Sequence, residues 1–358
     1  MITRIKPLDK LVAIWSDIDS SLRNHDINET ILFFRRPYST THKRRMNHHD
    51  KTIQISQFSN SESESRKFTS IIIILKLLIA NIAQSKRTTK RDIYYQDVAL
   101  FKKNQRYSNE LIDLIAYSLD LSPEIDLMIY ASQKGLIYGS ISLLINNSQL
   151  LDLNYSQEPL LIPFVNDKDN IRASSYSQYP AAIVVLEKDA AFRCFCNYIK
   201  QKETSLNLIV ITGKGFPDKL TKKFVSLLAD SFPKSPILGF MDSDVYGLSI
   251  CKNYKLGTIK EATYLCPRMI LSGVFLLEYD TGWLDLSKRD IRMMVNFVKE
   301  LKERTTESSN EKLKEEFGKW HRELTRGLVL FKKSEMNAMN QELALPNYLL
   351  RKVCSHLQ

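Results

Sequence analysis

Three apolar runs constrain this chain more than anything else in it: Ala182-Ile183-Val184-Val185-Leu186, Leu208-Ile209-Val210-Ile211-Thr212 and Ile237-Leu238-Gly239-Phe240-Met241. Strands without polar alternation are buried on both faces, which is the habit of parallel strands covered by helices on each side. Helix-length segments separate the runs, so residues 178 to about 280 read as strand–helix–strand–helix–strand with right-handed crossovers. Two of the strands end in acid. Glu187 follows the first, and Asp242-Ser243-Asp244 follows the third, leading into the turn Val245-Tyr246-Gly247. Ligands of open parallel sheets bind beyond the carboxyl ends of the strands. Asp-x-Asp alone also occurs in ordinary turns; an acid on a second strand end is what a Mg²⁺ site at that edge requires.

If Glu187, Asp242 and Asp244 converge, each pair at ~5 Å repels by roughly 3 kcal/mol at an effective dielectric of ~20. Three such acids stay apart, share protons or hold a cation. An all-oxygen ligand set suits Mg²⁺ or Mn²⁺. The alternative is three acids on separate solvated loop tips.

At 358 residues and 44% hydrophobic content the chain can fill two cores. Its formal net charge of +11 favours a polyanionic partner such as nucleic acid. The five cysteines show no CxxC pair and no zinc spacing, and reduced thiols suit the cytosol or nucleus. The opening ten residues lack the apolar core of a secretory signal, so none is expected. The run Ile71 to Ala80 is interrupted by Lys76 and falls short of the ~20 residues of a membrane span. A buried helix is expected there.

Residues 1–65 read as a variable, partly disordered region. It holds an amphipathic stretch (Leu8 to Leu22), a basic segment from Arg35 to His49 and a serine-rich linker, Ser59 to Ser65. Residues 66–165 read as three helices and a β-hairpin: Phe68 to Ala83, a helix from Lys90, Asn109 to Leu119, then Ile125 to Tyr130 and Leu136 to Tyr138 joined through Lys134-Gly135. That order describes a winged helix-turn-helix, a DNA-docking module. Residues 166–358 hold the parallel sheet and a helical C-terminal region.

In the helix from Lys90, one stripe (Tyr94, Val98, Phe101) is apolar and another (Arg91, Tyr95, Ala99, Lys102) polar and basic. Tyr94 is therefore a packing residue, and Tyr95 faces a ligand. A phenol with a pKa near ~10 is about a thousandfold short of phenolate at neutral pH, so a nucleophilic Tyr95 needs a cation such as Arg91, one turn earlier. A tyrosine that only stacks or hydrogen-bonds to phosphate has the same spacing. Gly213-Lys214-Gly215-Phe216-Pro217-Asp218-Lys219 is not a Walker A loop, yet its glycines can admit a phosphate backbone closely. Lys90, Lys134, Lys214 and Phe216 are the candidate DNA contacts, and the lysines equally fit plain surface charge.

Taken together these motifs resemble the catalytic A chain type of type IIB DNA topoisomerase (topoisomerase VI) and, more closely, the eukaryotic meiotic branch of that family. The resemblance covers roughly residues 66 to 358. It rests on Lys90-Arg91-Asp92-Ile93-Tyr94-Tyr95, Ser132-Gln133-Lys134-Gly135-Leu136, Val185 to Phe192, Thr212 to Asp218 and Met241 to Gly247, with Lys333 to Met339 resembling the family's closing helix. It implies a two-domain α+β and α/β protein, a winged-helix domain with the catalytic tyrosine followed by a Toprim domain with the Mg²⁺ acids. On that mapping Tyr95 is the nucleophile, Arg91 supports it, and Glu187, Asp242 and Asp244 hold the metal. The implied activity is a meiotic DNA double-strand break left with a 5′-phosphotyrosyl link and a free 3′-hydroxyl. Composite sites imply a homodimer on double-stranded DNA in the nucleus, with accessory meiotic proteins, among them a topoisomerase VI B-like subunit. Ser243 and Val245 depart from the small residue and proline of the family's Asp-x-Asp-Pro-x-Gly, and Thr221-Lys222 stands where Thr-Arg is usual. Two other readings stay open, a Toprim nuclease using water and an inactive winged-helix/Toprim scaffold.

Overall fold

The computed structural model describes residues 6–23, 31–36, 51–56, 61–130, 132–154, 158–165, 169–173, 179–202, 206–257, 263–278, 282–339 and 344–357. The chain divides into two compact units, residues 1–132 and 133–358.

The first unit comprises α1 (Pro7–Arg23), β1 (Ile31–Arg36), β2 (Lys51–Ser56), α2 (Glu62–Ala83), β3 (Thr88–Thr89), α3 (Lys90–Gln96), α4 (Gln105–Ser118) and β4 (Ile129–Tyr130). Its core is built from helical stripes: Leu11 and Ile18 of α1, Ile71, Ile74, Leu75 and Leu78 of α2, and Leu111, Ile112 and Ile115 of α4 are all buried. The Ile71 to Ala80 run is thus the expected buried helix, and among the described residues no helix is long and apolar enough to cross a membrane.

Two expectations are corrected in this unit. Within residues 1–65 the described stretches form α1, β1 and β2. Alternation buries Leu32 and Phe34 and exposes Phe33, and β1 pairs antiparallel with β2. Of the basic segment, residues 37–49 lie outside the described residues, as do 59–60 of the expected linker. Glu62 to Ser65 form the first turn of α2, with Ser61 at the N-cap position and Glu62 and Glu64 favouring the positive helix end. The helix from Lys90 stops at Gln96, where Asp97 leaves helical geometry (φ −154°, ψ 85°), so Val98, Ala99, Phe101 and Lys102 do not continue its stripes.

The second unit opens with β5 (Leu136–Gly139), β6 (Leu143–Ile145), β7 (Gln149–Leu151), β8 (Leu160–Leu161), β9 (Ile171–Ala173), β10 (Ala182–Leu186), α5 (Asp189–Gln201), β11 (Leu208–Thr212), α6 (Lys219–Ser231), β12 (Ile237–Phe240), α7 (Val245–Leu256) and β13 (Met269–Gly273). It closes with β14 (Trp283–Asp285), α8 (Lys288–Glu307), α9 (Glu311–Leu330), β15 (Lys332–Ser334) and α10 (Ala344–Ser355). The main sheet runs β13-β12-β10-β11-β5-β8, with its first four strands parallel and β5 and β8 antiparallel. Ile183, Val185, Ile209 and Ile211 face a core shared with α6, α7, α8 and α9. Ala182, Val184, Leu186, Leu208 and Val210 face a second core with α5 and α10. Burial on both faces is why these strands carry no polar alternation.

The expected hairpin between residues 125–130 and 136–138 is not formed. Ile129-Tyr130 pairs with Thr88-Thr89, and Leu136 to Gly139 adds to β11 in the main sheet. Two short apolar segments pair with whichever strand offers a buried edge, and the edge of a large sheet buries more than an isolated ribbon. This places Lys134 in the second unit.

Candidate active site

Helix α3 is short but tightly fixed. Its capping box is closed at both ends: the Asp92 amide donates to Thr89 Oγ1 at 3.0 Å, and the Thr89 amide donates to Asp92 Oδ2 at 2.9 Å. Ile93 is buried, and Tyr94 is half-buried with its ring 6.4 Å from that of Phe101. Tyr95 is 56% exposed. The Arg91 guanidinium donates to the Tyr95 hydroxyl through Nη2 at 3.0 Å and Nε at 3.3 Å. The expected division holds: Tyr94 packs, while Arg91 and Tyr95 meet on the solvent side. Lys90 is paired with Asp113.

In the second unit the register Leu186↔Phe240 brings the ends of β10 and β12 level, so Glu187 and Asp242 emerge side by side. Glu187 Oε2 accepts from the Asp242 amide at 2.9 Å. Asp242 Oδ1 accepts from the Met336 amide at 2.8 Å, and its Oδ2 lies 2.7 Å from Lys188 Nζ. Asp244 is the N-cap of α7, its Oδ1 accepting from the Tyr246 and Gly247 amides at 2.8 Å each. All three acids are buried. Burial, reinforced by the Asp242 charge, pushes Glu187 up to about 8. Burial also raises Asp242, despite its bonds to Lys188 and Met336, and raises Asp244 against the two α7 amides and the charge of Lys333.

A carboxyl held above its ordinary value stabilises the fold while protonated. Glu187 therefore contributes stability fully present below about pH 4.5 and lost as pH rises through about 8. The metal-free protein is expected to lose thermal stability across that window, and Glu187→Gln to flatten the loss. A pH series of melting temperatures checks both.

Among the described residues no three or more His, Cys, Asp and Glu side chains stand as a closed metal-ligand set. Each acid is instead anchored by backbone amides, and Lys188 supplies the positive charge beside Asp242. The donors nonetheless suit a hard divalent ion, being oxygen only, with Glu187 and Asp242 held side by side.

Several contacts around the acids were not legible in the sequence. Lys188 Nζ also lies 2.8 Å from Glu335 Oε2. The Ser243 hydroxyl donates at 2.6 Å to the buried Glu323 of α9, whose carboxylate also accepts from the Leu276 amide. Ser243 and Ser334 exchange amide–carbonyl bonds at 2.9 and 3.3 Å. The segment Lys333 to Met339, expected as a helix, is instead strand β15 followed by a single 3₁₀ turn at Met336–Ala338. Glu323→Ala leaves two buried donors unpaired and is expected to cost about 3 kcal/mol, measurable by denaturant unfolding.

The turn Gly213 to Asp218 adjoins Glu187, whose carbonyl accepts from the Gly215 amide at 2.8 Å. Gly215 has φ +85° with open space around its Cα, so the backbone is accessible. Lys134 Nζ donates to the Phe216 carbonyl at 2.8 Å, Phe216 is 48% exposed, and Lys214 Nζ lies 3.8 Å from Asp189. Lys134, Lys214 and Phe216 thus share one corner of the unit.

A parallel sheet with a glutamate ending one strand and Asp-x-Asp ending its neighbour is the signature of a Toprim domain, a metal-binding domain of DNA-processing enzymes. Residues 182–353 match the TOP6A-Spo11 Toprim domain family model, and residues 66–129 match the type IIB DNA topoisomerase model. The chain is 30% identical over 296 residues to the meiosis-specific protein SPO11 of Saccharomyces cerevisiae, covering 76% of this chain and 71% of that one. It is 33% identical over 220 residues to the meiotic recombination protein rec12 of Schizosaccharomyces pombe, covering 59% and 58%. It is 28% identical over 283 residues to DNA topoisomerase 6 subunit A3 of Oryza sativa subsp. indica, covering 77% and 60%. The chain spans less than two thirds of the length of the last two. It belongs to the TOP6A-Spo11 family.

Proposed function

We propose that this protein is a topoisomerase-like DNA transesterase that makes the double-strand breaks initiating meiotic recombination. The observation that carries this reading is the exposed Tyr95 hydroxyl held by Arg91, in a chain that also bears a buried Toprim acid cluster. Tyr95 Oη attacks the phosphorus of a backbone phosphodiester. The P–Oη bond forms, the P–O3′ bond breaks, the phenolic proton is lost and the leaving 3′-oxygen gains one. The products are a 5′-phosphotyrosyl link and a free 3′-hydroxyl. Arg91 donates to the Tyr95 hydroxyl, orienting it, and stays within reach of the phosphate oxygens.

Glu187, Asp242 and Asp244 are the residues that would hold a divalent cation, Mg²⁺ or Mn²⁺, which stabilises charge developing on the phosphodiester. Asp244 is held by its α7 amides, and Glu187 and Asp242 are fixed against each other. Lys134, Lys214 and Phe216 border the acids and contact double-stranded DNA, as does Lys90 of the first unit. Two strands need two nucleophiles, so the working enzyme is a homodimer on meiotic chromosomes in the nucleus, completed by accessory proteins that include a topoisomerase VI B-like subunit.

Recovery of the protein from meiotic cells under denaturing conditions tests the reading. Covalently attached DNA is expected, with every attached strand linked through its 5′ end. Absence of adducts, or attachment through 3′ ends, sinks it.

A further inference from the structure

Lys188 stands at an unusual place. It directly follows Glu187, caps α5, and its ammonium bridges two carboxylates that are 93 residues apart in sequence, Asp242 Oδ2 at 2.7 Å and Glu335 Oε2 at 2.8 Å. Asp242 is 4% exposed at its side chain, whereas Lys188 is 21% and Glu335 30% exposed. The acid is therefore fixed in the protein while the cation and its second partner border solvent. Asp242 Oδ1 is committed to the Met336 amide, which leaves Oδ2, the oxygen Lys188 occupies, as the one turned towards an incoming ion.

We propose that Lys188 is a tethered cation that competes with the divalent ion for Asp242, and that Glu335 is the berth that keeps Lys188 close when it yields. Two positive charges at one carboxylate oxygen repel, and burial strengthens that repulsion. Binding of a divalent ion at the acids thus displaces the ammonium from Asp242, and Lys188 stays on Glu335 at the rim of the site. Without metal, Lys188 limits the repulsion among the acids; with metal, a lysine is released beside the place where a phosphate would bind. The inference rests on the acids being the cation site.

The test uses the full chain and Mn²⁺ alone, titrated by calorimetry at fixed ionic strength. Lys188→Met removes the competitor and is expected to bind Mn²⁺ about tenfold more tightly, within the ordinary range of a coupling between two sites. Lys188→Arg keeps the charge and is expected to lie close to wild type. Equal or weaker Mn²⁺ affinity in Lys188→Met overturns the competition, whereas no Mn²⁺ binding by the wild type overturns the metal site itself. A second measurement needs no variant. Reaction of the Lys188 amine with an acylating reagent, followed by mass spectrometry, is expected to rise several-fold when Mn²⁺ is added to wild type, and unchanged labelling overturns the proposal even if Lys188→Met does not fold.

Discussion

Tyr95→Phe is expected to lower formation of covalent protein–DNA adducts by at least about a thousandfold, the scale of losing a covalent nucleophile. The substitution removes one hydroxyl and leaves the ring, which is 56% exposed and 5.3 Å from that of Tyr94, in place. The capping box and buried Ile93 hold α3 without it. Melting temperature and DNA affinity should therefore stay near wild type, since phosphate contacts carry the affinity. That combination separates the transesterase from its rivals. Continued cleavage by Tyr95→Phe would identify a water-using nuclease, and wild-type protein without adducts under any metal or partner condition would identify a scaffold.

Gly247→Ala is expected to have the largest structural effect of any single methyl addition near the acids. A Cβ at this position would lie 2.2 Å from the Asp242 carbonyl oxygen and 2.8 Å from its amide nitrogen, both backbone atoms. Helix propensity pulls the other way, favouring alanine by about 1 kcal/mol in a helix interior. Overpacking against backbone typically costs about 1–3 kcal/mol and prevails where the neighbour cannot move. Asp242 cannot move freely, because its amide is bonded to Glu187 and its carboxylate to Met336 and Lys188. The variant is expected to be destabilised in denaturant unfolding and to lose most Mn²⁺ binding. A stabilised Gly247→Ala would show that the α7 turn does not press on the acid loop.

The parts of the site legible in the sequence are those set by local periodicity. Arg91 and Tyr95 sit one helical turn apart and meet as that spacing dictates. Glu187 and Asp242 end apolar strands, and parallel register does the rest. What sequence spacing could not reveal was set by distant packing. Lys188 meets Glu335 across 147 residues and Ser243 meets Glu323 across 80. The strand at 136–139 shows the same limit, since its short apolar run identifies a buried strand without naming its partner, and β11 buried it better than the neighbouring segment did. Ser59 to Ser65 has a linker's composition, yet serine followed by acids is also how a helix begins.

The Val245 departure has a local explanation. Val245 is the first residue of α7, directly after the Asp244 cap, and it is buried. Proline favours this position because its missing amide hydrogen is not needed there, so valine loses no hydrogen bond and packs into the core. Ser243 likewise gains a buried acceptor in Glu323.

Strand β15 reaches the acids from far along the chain. Ser334 exchanges bonds with Ser243, and the Met336 amide holds Asp242, so residues made late fasten residues made nearly a hundred positions earlier. While those later residues are still inside the ribosome, the Asp242-Ser243-Asp244 loop has no partner along one edge. Asp242 and Ser243 thus gain their last backbone partners only once residues 334 to 336 have joined the fold, whereas Asp244 and Glu187 are held by amides made earlier.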